Sequence, residues 1–158
     1  MTHEPARAAS HEPACSVTQA LDHRLIEALG KAQPPVTLQG ATALLQALRR
    51  AFPDDLARWF PLVPVSPPEP LSDPAPQRTR DPARVLGLDA SDLRVLYHAI
   101  RVVWLAELVF GCPDEARLWL RAPKRRLHGR VPLLLCQHGR YAALIEQWLI
   151  DIDEGNGP

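Results

Sequence analysis

Cys112, His128, Cys136 and His138 are the clustered side chains of this chain that could serve as metal ligands or as a nucleophile with its base. A zinc site needs ligands that one loop or helix turn can converge, and no pair here has C-x-x-C or H-x-x-x-H spacing. Cys136 and His138 stand two residues apart, which on a helix points them in different directions, and no third group is placed to orient the imidazole. There is no glycine-rich phosphate loop. The expectation is a protein with no catalytic residue, no metal and no bound cofactor. Binding, rather than catalysis, is the chemistry to look for.

Charge supplies that chemistry. Between Ala116 and Ile145 there are seven bases (Arg117, Arg121, Lys124, Arg125, Arg126, Arg130 and Arg140) and no carboxylate. From Glu146 onward there are four carboxylates, Glu146, Asp151, Asp153 and Glu154, and no base. Formal net charge is zero over 158 residues, so attraction to any partner is local rather than global. The loop Arg121–Arg130 could meet a phosphate-rich ligand, DNA or an acidic protein surface; the bland alternative is a solvated loop that keeps a small domain soluble. The acidic end is either a frayed terminus or a set of acceptors offered to a basic cleft.

Helices must position these charges. Pro113 suits a first helical turn, with Asp114 and Glu115 at the positive end of the dipole, and Pro123 stops that helix. A loop from Lys124 to Arg130 contains Gly129, and Pro132 opens a short leucine-rich helix that ends by Gly139. From Arg140 to Ile152, the residues Tyr141, Leu144, Ile145, Trp148, Leu149 and Ile152 recur at helical spacing. Trp104, Trp119 and Trp148 read as core, and Tyr141 as a rim residue. Upstream, Asp89 or Ser91 caps a helix to about Phe110 that is apolar over most of its circumference. Such a helix is buried on several sides or packs on a partner chain.

The first half is less regular. Residues 1–16 repeat HEPA and read as a disordered arm. Helices are expected over Val17–Leu29, stopped by Gly30, and over Gly40–Phe52, with a short turn or helix after Asp54 and Asp55. Residues 17–60 thus form a small helical region, a degenerate DNA-binding or dimerisation unit. Eight prolines fall between Pro61 and Pro82, so 61–82 is expected to be a linker, with the second unit over 83–158. No convincing strand is found, and the fold class is all-α.

The C-terminal block carries a pattern: Phe110–Gly111; Ala116, Trp119, Leu120 and Pro123; Leu127, Gly129, Arg130 and Pro132; Leu133, Leu135, Gly139, Leu144, Leu149 and Gly155. In order and spacing this resembles the toxin-binding domain of Xre/MbcA/ParS antitoxins, over about the last third of the chain. Two positions depart from it. Val131 replaces a capping Thr or Ser before Pro132, and Arg140 stands where a small or acidic residue is common.

The resemblance implies a RES-domain toxin as partner, an enzyme that consumes NAD or transfers ADP-ribose, and an antitoxin end lying in the toxin's active-site cleft. The toxin-contact residues expected on this basis are Arg121, Lys124, Arg125, Arg126, Arg130, Tyr141, Asp151, Asp153, Glu154, Gly155 and Asn156. Arg130 could instead be structural, bonding helix C-terminal carbonyls. The family usually adds operator DNA as a second partner through a helix-turn-helix. Here only Val85–Ser91 looks like the turn of one, and a transcriptional regulator or helical adaptor without a toxin stays as the alternative.

The remaining composition is consistent with these expectations. An odd count of three cysteines argues against a disulfide framework, and the N-terminus has no apolar signal segment. No apolar stretch is long enough for a membrane span. The chain is expected in the cytoplasm, as a homo-oligomer without membrane attachment.

Overall fold

The computed structural model describes residues 16–64 and 81–155. The elements are α1 (Val17–Leu29), α2 (Leu38–Ala51), α3 (Leu56–Trp59), α4 (Pro82–Leu86), α5 (Ala90–Phe110), α6 (Pro113–Arg121), a 3₁₀ turn (Arg125–Leu127), α7 (Pro132–Leu135) and α8 (Gly139–Asp153). There is no strand among the described residues, and the all-α expectation holds.

Local sequence sets the helix ends. Ser16 and Gln19 form a reciprocal capping box at α1, and Asp89 and Asp92 form another at α5. Thr37 caps α2 by accepting from the Gly40 amide at 3.1 Å. Gly30 and Gly111 stop α1 and α5 in the left-handed conformation, at φ 83° and 70°. Val131 gives α7 no side-chain cap, as its lack of an acceptor dictates.

Helix α5 is the axis of the molecule. Leu93, Leu96, Tyr97, Ile100, Val103 and Trp104 are buried, and so are Ala99, Val102, Leu105 and Ala106 on its other faces. Helices α1 and α2 pack on it from the N-terminal half; α6 and α8 pack on it from the C-terminal half. Its apolar circumference is therefore covered within the chain, the first of the two expected arrangements.

The same packing bears on the expected boundary. Leu21 and Leu25 of α1, Leu44, Leu45 and Leu48 of α2, Leu120 of α6 and Ile145 of α8 belong to one apolar cluster with α5. Polar contacts cross the boundary as well. Arg24 meets Glu107 at 2.7 Å, Arg117 donates to the Ala51 carbonyl at 2.8 Å, and Gln137 donates to the Trp59 carbonyl at 2.7 Å. Residues 17–60 and 83–155 share one core because α5 has more apolar surface than the C-terminal helices alone can cover. Of the expected linker, Val63 is buried and Pro82 is the buried first residue of α4, while 65–80 lie outside the described residues. The arm at 1–15 also lies outside them.

Candidate functional site

Helix α6 stops where the sequence places the stop: Ala122 is extended (φ −85°, ψ 135°) because it precedes Pro123. The next seven residues fold back on themselves. The Lys124 amide donates to the Arg130 carbonyl at 3.0 Å, and the Gly129 amide donates to the Lys124 carbonyl at 2.9 Å. Inside this clasp lies the 3₁₀ turn, and His128 (φ 55°) and Gly129 (φ 79°) both take left-handed backbone to complete it. Two successive positive φ values explain why a glycine stands at 129. Leu127 packs against the core, which leaves Arg125, Arg126 and Arg130 exposed.

Three aromatic rings lie beside the loop. Phe110 and Trp119 have centroids 5.7 Å apart, and Trp119 meets Trp148 of α8 edge-on at 4.9 Å. Each tryptophan carries a cation on its face. The Lys124 ammonium sits 4.8 Å from the Trp119 centroid, and the Arg126 guanidinium 4.9 Å from that of Trp148. Burial holds the Lys124 amine below its ordinary pKa. The Trp148 indole N–H is itself buried and finds no acceptor among the described residues.

The expected contact residues divide by their partners. Arg121 is half-buried and pairs with Asp55 at 2.8 Å, with its guanidinium over the Phe52 ring; it locks α6 to the corner after α2. Arg117 is likewise engaged, with the Ala51 carbonyl and with Asp114. Lys124, Arg125, Arg126 and Arg130 have no ion pair among the described residues. Arg130 shapes the clasp through its main chain, while its side chain stays in solvent.

The acidic end divides in the same way. Glu146 is part-buried and held by Arg101, which meets it at 3.0 and 3.3 Å. Asp151 accepts from Gln147 at 3.0 Å, one turn back on α8. Asp153, Glu154 and Gly155 are exposed, with Gly155 turning the chain at φ 78°. Asn156 lies outside the described residues. Tyr141 is half-buried at the edge of the core, as a rim residue should be. Trp148 and Asp151 stand three residues apart on α8, so Arg126 on Trp148 brings the basic loop beside the last turn of that helix.

The sulfur chemistry is quiet. Cys136 is fully buried, its thiol donates to the Leu133 carbonyl at 2.9 Å, and burial pushes its pKa up to about 12. His138 is exposed at the start of α8. A cleft of about 540 Å³ opens between α1, α2, α5 and α6, away from the loop. Two of its arginines are already engaged, Arg24 by Glu107 and the Trp104 face, Arg117 by Ala51 and Asp114. No described helix is long and apolar enough to cross a membrane.

Sequence reasoning treated Trp119 and Trp148 as core and missed what their faces hold. Nothing in the spacing reveals it, since Arg126 and Trp148 are brought together by the packing of α6 and α8 on α5 and the fold of the loop between them. Nor could spacing reveal that Asp55 would claim Arg121 from 66 residues away.

Comparison with known proteins converges on the same segment. Residues 105–155 match the family model described as the antitoxin Xre/MbcA/ParS C-terminal toxin-binding domain, and the resemblance read from the sequence is borne out. The match begins in the second half of α5 and runs through the loop to the turn after α8. The chain is also 33% identical over 72 residues to a protein of Pseudomonas putida (strain KT2440) named Antitoxin Xre. That similarity covers 46% of this chain and 44% of the relative, less than half of either. No solved structure matches.

Proposed function

We propose, from the premise that residues 105–155 match an antitoxin toxin-binding domain, that this chain is an antitoxin that captures and silences a toxin enzyme. It would act by binding and not by catalysis. The observation that carries the reading is the placement of the match: it spans the clasped basic loop, the aromatic rings beneath it and the exposed acidic end of α8.

The partner is a RES-domain toxin, NAD-consuming or ADP-ribosylating, made in the same cytoplasm. Lys124, Arg125, Arg126 and Arg130, with Tyr141 at the rim, orient the complex through charge; Arg121 supports them from behind by fixing α6 to Asp55. The end of α8, Asp151 to Gly155 with Asn156, enters the active-site cleft. A cleft that holds the phosphates of NAD must be basic, and Asp153 and Glu154 offer it carboxylates that mimic those phosphates. Exposed charges gain little until they are desolvated and paired, so the cleft itself must make this contact worthwhile.

Co-expression with a RES-domain toxin tests the reading, by co-purification and by rescue of growth. A stable complex that restores growth supports it; no complex and no rescue refutes it. Deleting Asp153–Pro158 then separates binding from occlusion. Inhibition should fall far more than affinity, because the exposed end contributes little of the contact area. Equal loss of both in a titration would refute occlusion by the C-terminal end. A chain that instead binds DNA, with affinity falling steeply as salt rises, would move the function to transcriptional regulation.

A further inference from the structure

The loop 124–130 differs from an ordinary anion-binding turn in where its amides point. The N–H groups of Lys124, Leu127, His128, Gly129 and Arg130 all donate to carbonyls inside the loop. Five of the seven loop amides are thus used within the loop, which leaves little main chain to cradle a single phosphate. Side chains carry most of what the loop offers an anion: four cations spread over seven residues, none of them ion-paired among the described residues. That pattern suits several separate carboxylates better than one compact dianion.

Free lysine and arginine side chains lose much rotamer freedom when a partner fixes them. Two of these four are already seated on aromatic faces. Lys124 lies against Trp119 and Arg126 against Trp148, and the two indoles brace each other edge-on at 4.9 Å. Trp119 is further held by Phe110 at the end of α5. The stack thus connects the loop cations to the central helix.

We propose that Trp119 and Trp148 are positioning residues of a preorganised clamp, which holds Lys124 and Arg126 ready for carboxylate side chains on an acidic surface of the toxin. The inference rests on the toxin-binding reading above. The tryptophans act through the cations they hold: removing an indole leaves its cation present but unplaced.

A double-mutant cycle on the full chain tests this, read as the Kd for an active-site-inactivated RES-domain toxin. Trp148→Leu in the native background should weaken binding by roughly two- to fivefold, the range of an exposed cation–aromatic contact. In an Arg126→Gln background the same replacement should cost almost nothing, because no guanidinium remains to be placed. Trp148→Phe, which restores an aromatic face, should recover most of the loss. Should Trp148→Leu fail to fold, the Trp119→Leu and Lys124→Gln cycle asks the same question. Equal losses in both backgrounds would mean that the indole merely supports the fold, and the clamp would be refuted while toxin binding stood. Failure of the wild-type chain to bind the toxin would overturn the underlying reading and the clamp with it.

Discussion

Arg101 joins three helices, and its loss should be the most costly single polar change in the described structure. It lies on α5, meets Glu146 of α8 through two nitrogens at 3.0 and 3.3 Å, reaches Asp22 of α1 at 3.7 Å, and donates to the Tyr97 hydroxyl at 3.4 Å. The Arg101 and Glu146 side chains are each 19% exposed. That places the pair between two regimes: exposed pairs contribute about 0.2–1 kcal/mol, and removing one partner of a fully buried pair costs about 3–5 kcal/mol. For Arg101→Leu we expect roughly 2 kcal/mol, most of it from leaving Glu146 half-buried without its counterion. Glu146→Leu should cost a similar amount by stranding the guanidinium, which the pair holds well above the ordinary arginine pKa. The double replacement by leucine should cost much less than the sum, because no unpaired charge remains and apolar surface fills the gap. Urea unfolding of the four proteins at neutral pH measures this, through the midpoint at constant slope. Additive costs would refute the argument, since they would mean that the bidentate geometry adds nothing to what water offers each ion.

Two further predictions concern titration and thiol chemistry. Burial, aided by Arg101 and Arg94 and opposed by Glu146, holds the His98 pKa below its ordinary value. The unfolded chain therefore binds a proton more readily than the folded one: above about pH 6.5 His98 carries no proton-linked penalty, and stability is lost as pH falls from there through its lower folded-state pKa. His98→Gln should flatten the dependence of the urea midpoint between pH 7 and 5; an unchanged slope would refute the assignment. Cys136, with its thiol pushed up to about 12, should resist a maleimide in the folded protein and react only after denaturation. Of the two described cysteines Cys112 is half-exposed and should react before Cys136, and peptide mapping by mass spectrometry would reverse the argument if it found Cys136 labelled in the native state.

The local structure of the C-terminal half was legible residue by residue. Pro113 and Pro123 bound α6, Gly111 ends α5, and Gly129 permits the left-handed close of the loop, because each of these acts through its own backbone within a few residues. The apolar stripe of α8 and the segregation of charge along the chain were legible for the same reason. The family resemblance rested on this local punctuation, which is why it was secure where the first half of the chain was not. Which charges are paired within the chain depended on tertiary packing. Arg121 and Glu146 belong by sequence to the basic run and the acidic end, yet Asp55 and Arg101, remote along the chain, claim them. The proline-rich stretch reads as a division, yet α5 has apolar residues on every face, and only packing could show that α1 and α2 cover what α6 and α8 leave bare. Trp119 and Trp148 read as ordinary core by their periodicity. Periodicity reports which way a side chain points from its own helix and is silent on what another helix and a loop will lay across its face.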